Sequence, residues 1–347
     1  MTRASSARPT SMAQRDAWDA RGLPAPEHVS DGLWAFPVPI PASALPYTLA
    51  YVFIGSDGVH VVDPGWDGVE TLPSIEKVLA SFGLRVTDIV TIIVTHHHPD
   101  HLGAAARLRQ ASGARLVLSG READVLTQET APGRNDRAAY ERLLEAWAVP
   151  SARREELRES FDRPSLVPTT VADVLVADGD RIELGDAGSL DVLLTPGHTS
   201  GHMCLVDRAR GVVLSGDHVL PRIYAGVGIG TLPGTDPLGD YLDSLDRIAG
   251  LGDLEVLPGH EFRFTGLAGR CAEIAAHHLR RTAEVAVLRP ELGDAPVWEY
   301  ARRLTWTAGW DGLDGFHLHS ALRQADMHLD LVRSGRAAAF LSRVSSD

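Results

Sequence analysis

A continuous apolar run at residues 89–94 leads directly into a dense polar cluster at residues 95–101. The run is rich in isoleucine, valine and threonine, which is typical of a strand that is buried on both faces of a sheet. Because a sheet holds its strands rigidly, the C-terminal end of this strand would fix the polar cluster in space.

Three further polar islands follow apolar strands in the same way, at residues 195–198, 215–217 and 257–260. Imidazole and carboxylate groups are the ligands expected for zinc or a similar first-row ion. The four islands supply five histidines and two aspartates: His96, His98, Asp100, His101, His198, Asp217 and His260. This set is large enough for two metals that share a carboxylate. It contains no cysteine, which fits a catalytic rather than a closed structural site.

Two neighbouring metals would lower the pKa of a bridging water from about 15.7 toward neutrality. The resulting hydroxide is a nucleophile at pH 7, and a metal would polarise the carbonyl or phosphoryl oxygen under attack. The sequence therefore predicts a binuclear metal-dependent hydrolase that uses a bridging hydroxide.

Composition and hydrophobic periodicity divide the rest of the chain into regions. Residues 1–27 are polar with scattered charge, and we expect a disordered tail there. Residues 28–290 contain the apolar strands and form the expected catalytic domain. Within it, residues from about 122 to 163 are rich in Ala, Glu and Arg with helical spacing, which predicts a helical insertion. Residues 291–347 have helical periodicity, and we expect a C-terminal helical module there, with Trp306 and Trp310 anchoring it against the main domain or a second subunit.

Composition limits the partners and the compartment. The net charge of −13 argues against long-range attraction to nucleic acid, although Arg280 and Arg281 are candidates for a local basic patch. The two cysteines, Cys204 and Cys271, do not form a disulfide framework or a CxxC pair. No apolar stretch approaches the roughly 20 residues of a membrane span, and no secretory signal is evident. We expect a cytoplasmic protein without a membrane partner.

The string His96-x-His98-x-Asp100-His101 resembles the signature of the metallo-β-lactamase-fold superfamily. Further motifs occur in the order of that family: residues 62–65, 197–199, 216–217 and 259–260. The resemblance covers roughly residues 30 to 280. It implies an α+β fold, a four-layer αββα sandwich with the site at one edge between two sheets.

The resemblance also implies a role for each ligand. His96, His98 and His198 would hold one metal, Asp100, His101 and His260 would hold the other, and Asp217 would bridge them. Asp63 would orient a ligand imidazole. Two Zn²⁺ ions are expected, although a site of this kind accepts iron or manganese according to supply.

The complete histidine set and the aspartate bridge resemble the glyoxalase-II-type hydrolases of this superfamily more than the true β-lactamases. Residues 216–222 and 328–335 resemble the branch containing β-lactamase-like protein 2, which carries a winged-helix-like C-terminal module. The insertion has no counterpart in this comparison. The expected substrate is a small-molecule acyl compound: a thioester, an ester or a lactone.

Asp100 and Asp217 are the expected catalytic carboxylates, and Asp100 would help to orient the nucleophile. His218 is a candidate for substrate contact, and Tyr224 is a candidate donor to the developing oxyanion. His97 is expected to pack against the fold. Two other activities stay open: phosphodiester cleavage by an endoribonuclease, and a mono-iron sulfur dioxygenase. A homodimer also stays open.

Overall fold

The computed structural model describes residues 5–41, 43–131, 136–161, 166, 169–307 and 309–344. In this part of the chain, fourteen strands form two sheets of seven strands each. The strands are β1 (Arg8–Pro9), β2 (Glu27–Ser30), β3 (Leu33–Pro39), β4 (Tyr47–Gly55), β5 (Gly58–Val62), β6 (Ile89–Ile93), β7 (Arg115–Ser119), β8 (Val174–Val176), β9 (Arg181–Glu183), β10 (Ser189–Leu194), β11 (Met203–Asp207), β12 (Val212–Gly216), β13 (Glu255–Pro258) and β14 (Phe264–Thr265).

Twelve α-helices accompany these strands in the described residues. They are α1 (Met12–Asp19), α2 (Thr71–Ala80), α3 (Pro99–Leu102), α4 (Ala105–Ser112), α5 (Gly120–Glu129), α6 (Arg137–Ala146), α7 (Ser151–Phe161), α8 (Pro237–Ala249), α9 (Leu267–Leu292), α10 (Val297–Ala301), α11 (Gly315–Arg333) and α12 (Arg336–Val344). No helix in the described residues has the length and apolar character needed to cross a membrane.

Both sheets are mixed. The first has the order β2-β3-β4-β5-β6-β7-β8 and is parallel from β5 to β8. The second has the order β1-β14-β13-β12-β11-β10-β9, with β12 and β13 as its parallel pair. The strand predicted at residues 89–94 is confirmed as β6, which lies between two parallel neighbours and is buried at almost every position.

The two sheets pack face to face, and helices cover their outer faces. Phe53 of the first sheet and Leu205 of the second belong to the same buried core between them. Ile75 and Leu108, from α2 and α4, pack on the outer face of the first sheet. Helices α8 and α9 cover the second sheet in a core that includes Tyr241. The expected α+β architecture, a four-layer sandwich, is confirmed.

The expectation of a disordered tail at residues 1–27 is wrong for residues 5–27, which are ordered in the structure. β1 pairs with β14, and Ser11 caps the N-terminus of α1, because its side chain accepts the backbone N–H of Gln14. This eight-residue helix is too short to be stable alone. Contacts with the sandwich stabilise it, and composition gave no sign of them.

The predicted insertion divides into two parts. α5 packs on β7 and β8 and therefore belongs to the sandwich. α6 and α7 instead share a core with α10 and α11, in which Leu144 and Leu157 lie with Tyr300 and Leu318. We call α6, α7, α10 and α11 the helical cap.

The C-terminal region is helical, as expected. The described residues after Thr265 contain helices and no strand, so the β-hairpin of a wing is not found in them. Trp306 and Trp310 pack against the core of the cap. Helices α6 and α7 of the insertion and α10 and α11 of the C-terminal region therefore form one structural unit, although about 150 residues separate the two pairs along the chain.

Candidate metal centre

The four polar islands meet at one edge of the sandwich, where the strands that carry them end. The first island follows β6, and Pro99 begins the short helix α3 with a fixed φ angle suited to a first helical position. This turn directs His98 and His101 to the same centre as His96. Asp63, at the end of β5, has a φ of +52°, so the chain turns sharply beneath that centre.

The imidazoles of His96, His98 and His198 form the first group. His96 Nε2 lies 3.0 Å from His98 Nδ1, and His198 Nε2 lies 3.3 Å and 3.0 Å from those two atoms. Three nitrogen atoms at such distances suit the ligand shell of a single metal ion.

Asp100, His101 and His260 form the second group. His260 Nε2 lies 3.3 Å from Asp100 Oδ2, and the three ligand atoms are within 4.8 Å of one another. The first island thus contributes to both groups.

Asp217 lies between the groups. Its Oδ1 is 3.3 Å from His101 Nε2 and 3.4 Å from His260 Nε2, and its Oδ2 is 3.8 Å from His198 Nε2. One carboxylate oxygen therefore faces the second group while the other faces the first. The structure brings all seven candidate ligands into one cluster.

The donor set fits metal cations. His101 Nε2, His260 Nε2 and Asp217 Oδ1 are buried and have no hydrogen-bond partner. Leaving buried polar atoms without a partner costs free energy unless something else satisfies them. Cations bound among these atoms would satisfy them.

In His101, His198 and His260 the ring nitrogen that faces away from the centre lies beside an oxygen atom of the surrounding protein, whereas the outer nitrogen of His98, Nε2, has no hydrogen-bond partner. His101 Nδ1 lies 2.8 Å from Asp63 Oδ2, and His260 Nδ1 donates to Tyr47 O at 2.8 Å. His198 Nδ1 donates to Gly226 O at 2.5 Å. Because an oxygen atom holds each Nδ1, each Nε2 faces the centre and is the nitrogen that would ligate a metal.

His96 is oriented through an intermediate hydroxyl group. Thr95 donates its backbone N–H to Asp63 Oδ1 and its Oγ1 hydrogen to Asp63 Oδ2, both at 2.8 Å. Thr95 Oγ1 then accepts a hydrogen bond from His96 Nδ1 at 3.1 Å. Asp63 thus orients His101 directly and His96 through Thr95, in agreement with the role that the family resemblance implies for it.

The electrostatic environment divides the histidines. Burial, followed by neighbouring imidazoles, lowers the pKa of His96 and His98 well below the usual range. Burial also lowers the pKa of His198. These three rings are therefore neutral, which is the form that binds a metal.

The second group carries charge. Burial lowers the pKa of His260, but the Asp217 and Asp100 carboxylates outweigh it and raise that pKa to about 10. Burial raises the pKa of Asp100 and Asp217, but the nearby histidines outweigh it and lower both values. Both carboxylates are thus anionic, and cations would replace the protons that His101 and His260 hold in their field.

Glu122 supports the centre and was not predicted from the sequence. It is fully buried, and its Oε1 accepts the backbone N–H of His97 at 2.8 Å and lies 2.5 Å from His97 Nδ1. Its Oε2 accepts the Thr199 hydroxyl at 3.1 Å. One carboxylate thus joins the loop of His96 to the loop of His198. The sequence Ser119-Gly120-Arg121-Glu122 matches a capping-box pattern, which could have located the helix start but not this role.

Two further sets of contacts hold candidate ligands in place and were also not predicted from the sequence. The backbone N–H of Asp217 donates to His202 Nε2 at 3.3 Å, and His202 Nδ1 lies 2.8 Å from Thr195 Oγ1. On the other side, the Trp18 ring of α1 lies 5.2 Å from the Tyr47 ring and 6.5 Å from the His260 ring. The N-terminal helix therefore packs behind a candidate ligand.

The remaining candidates lie outside the cluster. His97 points away from it toward Glu122, in agreement with the expected packing role. His218 is fully buried between the rings of His202 and Tyr241, so its position does not favour the predicted contact with substrate. Tyr224 is 41% exposed, and its ring stacks on His277.

Comparisons with known proteins agree with this geometry. The family model of the metallo-beta-lactamase superfamily matches residues 45–260. A metallo-beta-lactamase family protein from Thermus thermophilus superimposes with a TM-score of 0.68 at 29% sequence identity, covering 89% of this chain and 95% of that one.

Two curated relatives carry names of hydrolases. The chain is 29% identical over 262 residues to acyl-coenzyme A thioesterase MBLAC2 from Homo sapiens, covering 67% of this chain and 84% of that relative. It is 28% identical over 206 residues to hydroxyacylglutathione hydrolase from Cereibacter sphaeroides, covering 59% of this chain. The latter match spans 61% of that relative, less than two thirds of its length.

Proposed function

This chain belongs to the metallo-β-lactamase superfamily, and from that premise we propose that it hydrolyses thioesters at a binuclear metal centre. The observation that carries the proposal is the position of Asp217, whose two oxygens face two separate groups of candidate ligands. The names of the two curated relatives, a thioesterase and a hydroxyacylglutathione hydrolase, support a thioester over an ester or a lactone.

We assign His96, His98 and His198 to one metal, and Asp100, His101 and His260 to the other. Asp217 would contribute to both. Zinc is the proposed metal, because imidazole and carboxylate ligands without thiolate suit a catalytic zinc site. When bound, metals of this kind activate water as a nucleophile and polarise the carbonyl that is attacked.

The protein residues around the centre have their own tasks in this proposal. Asp63 and Gly226 O hold the ring orientations of His101 and His198. Substrate and water would therefore bind to ligand side chains whose geometry is already fixed. The Asp100 carboxylate, which is anionic, would orient the attacking water through its free oxygen. Burial of the surrounding side chains would limit the number of competing water molecules at the centre.

Elemental analysis of the purified chain for zinc, iron and manganese tests the centre first. We expect close to two metal equivalents per chain, together with hydrolysis of an acyl-coenzyme A or an acylglutathione. Asp217→Asn keeps the shape of the side chain and removes its charge, so this variant should lose metal and activity while its circular dichroism is unchanged. Full activity in the variant would contradict the proposed centre.

The same measurements separate the two alternative activities. About one iron per chain with oxygen uptake on a sulfur substrate would favour the mono-iron dioxygenase. Two metals with cleavage of RNA, and no turnover of any thioester, would favour the endoribonuclease. The net charge of −13 argues against the second alternative.

A further inference from the structure

A group of cationic side chains lies on α9, beside the loop that follows Asp217. The group surrounds His277, whose ring stacks on Tyr224 with the ring centroids 3.8 Å apart and the planes at 8°. The Arg270 guanidinium lies 4.8 Å from the centre of the Tyr224 ring on the buried side. Arg280 and Arg281 follow His277 by one helical turn.

Arg280 is the member of this group that is available to a ligand. It is exposed, and its Nη2 donates to His277 Nδ1 at 3.3 Å. Arg281 is engaged with Gln324, with Thr305 O and with the Trp306 ring. In the described part of the chain neither arginine forms an ion pair with a carboxylate, whereas Arg289, two turns along the same helix, pairs with Asp294 at 3.1 Å.

The positive field at this surface is strong enough to affect His277. Burial, followed by Arg280, Arg281 and Arg270, lowers the pKa of His277 to about 4. Of the carboxylates on the same helix, Glu284 accepts the backbone N–H of Thr305 and adds a negative charge near Arg281, while Glu273 pairs with Arg270. In a protein of net charge −13, Arg280 is thus an exposed cation that has no carboxylate partner among the described residues.

This surface is close to the metal centre. Gly226 O accepts the Nδ1 hydrogen of His198, and Tyr224 precedes Gly226 by two residues. Two residues of extended chain span at most about 7 Å. The pantetheine arm of coenzyme A extends like about four residues of backbone, roughly 15 Å. A thioester at the centre could therefore place its phosphates at Arg280.

We propose that Arg280 binds the phosphate groups of a coenzyme A-type thiol whose acyl thioester lies at the metal centre. This inference rests on the proposed function, and it adds the site that recognises the leaving group. Guanidinium groups suit phosphate because they donate paired hydrogen bonds in a planar fork. The Tyr224 hydroxyl, on the same exposed surface, is a second donor, and Arg281 adds to the field.

The test compares two thioesters of the same acyl group, one on coenzyme A and one on pantetheine, which lacks the adenosine and its phosphates. In Arg280→Glu the KM for acyl-coenzyme A should rise about 10-fold or more, the worth of a charge-assisted hydrogen bond. The kcat and the KM for the pantetheine thioester should stay at the wild-type values. Arg289→Ala is the matched control on the same helix, and it should change neither substrate.

An unchanged KM for acyl-coenzyme A in Arg280→Glu would overturn the inference. An equal loss of activity on both thioesters would also overturn it, because the substitution would then have impaired the metal centre and not a phosphate site. If wild-type protein hydrolyses neither thioester, the proposed function fails. The site is then judged by calorimetric binding of coenzyme A itself, which Arg280→Glu should abolish. Binding of single-stranded RNA that Arg280→Glu removes, without binding of coenzyme A, would assign the surface to RNA.

Discussion

The sandwich edge and the helical cap both bury histidines, and they satisfy them in different ways. At the sandwich edge the nitrogens of His96, His98 and His198 face one another within 3.3 Å. In the cap, His319 Nδ1 lies 3.0 Å from the Tyr140 hydroxyl, and His328 Nδ1 lies 2.9 Å from Thr282 Oγ1. Burial lowers the pKa of the histidine in each of these cases.

A buried neutral histidine is therefore not in itself a sign of a metal site. The difference lies in where the ring nitrogens point. At the sandwich edge the imidazoles of His198 and His260 are each fixed from outside by a backbone oxygen, and their other nitrogen faces a shared centre. In the cap each imidazole forms its hydrogen bond with a separate side chain. We expect substitutions at the sandwich edge to lower activity and substitutions in the cap to lower stability.

The largest expected effect is that of His98→Ala. Its Nδ1 lies 3.0 Å from both His96 Nε2 and His198 Nε2, so its loss removes one of three ligand atoms from the first group. Activity should fall by more than the roughly 10–100-fold that follows removal of an outer supporting residue. Metal content should drop as well. The matched change in the cap, His328→Ala, should lower the melting temperature and leave metal content and kcat/KM unchanged. Equal activity losses in both variants would erase the distinction between the regions.

Glu122→Ala should give the next largest effect. Its carboxylate holds the His97 backbone and the Thr199 hydroxyl, so the loops of His96 and His198 would lose their common support. We expect metal affinity and kcat/KM to fall about 10–100-fold. Glu122→Gln, which keeps an acceptor oxygen, should recover part of the loss. Glu76→Ala, an exposed change on α2, is the control. If the Gln and Ala variants are equally impaired, the carboxylate charge and not its geometry is what matters.

The sequence predicted the sandwich edge better than it predicted the cap, for a physical reason. The ligands follow apolar strands directly, and strand ends in a sheet meet at one edge, so local pattern is sufficient to bring His96 and His198 together. The spacing and order of the histidines then matched a known family.

The tertiary packing of the cap could not be predicted from the local sequence pattern. α6 and α7 have clear helical spacing, but their packing against α11 depends on contacts across about 170 residues. Glu122 has the same limitation, because its partners at His97 and Thr199 are remote in the sequence. The ordered structure of residues 5–27 could not be predicted from their composition, because it comes from pairing with β14 and from packing around Tyr47.

Trp18→Ala tests whether that N-terminal segment belongs to the sandwich edge. The Trp18 ring packs on Tyr47, whose carbonyl oxygen accepts a hydrogen bond from His260 Nδ1, so its loss should loosen one ligand of the second group. We expect one of the two metals to bind about 10-fold more weakly, at the low end for an outer residue. Competition with a chromogenic chelator would resolve the two affinities. Met12→Ala, half-exposed on the same helix, is the control. A uniform loss of both metals would point to a general defect of folding.

The smallest expected effect concerns pH and the cap. Burial, with a smaller contribution from Arg323, lowers the pKa of His319 from 6.5 to about 4. Between these two values the unfolded chain binds a proton that the folded chain excludes, so the cap should lose stability as the pH falls from 6.5 to 4. His319→Gln removes this titration and retains a hydrogen-bonding group for Tyr140.

The melting temperature of metal-free protein, followed by near-ultraviolet circular dichroism, should therefore depend less steeply on pH in His319→Gln than in the wild type. Trp147, whose ring lies 5.9 Å from His319, provides a local signal. Metal-free protein is used because protonation of the ligand histidines then affects both proteins equally. The expected difference is a few degrees, since about 1 kcal/mol shifts the melting temperature of a domain of this size by roughly 2–4 °C. Parallel pH profiles would mean that His319 is protonated in the folded cap. Its protonation state would then differ from that of the neutral histidines at the sandwich edge.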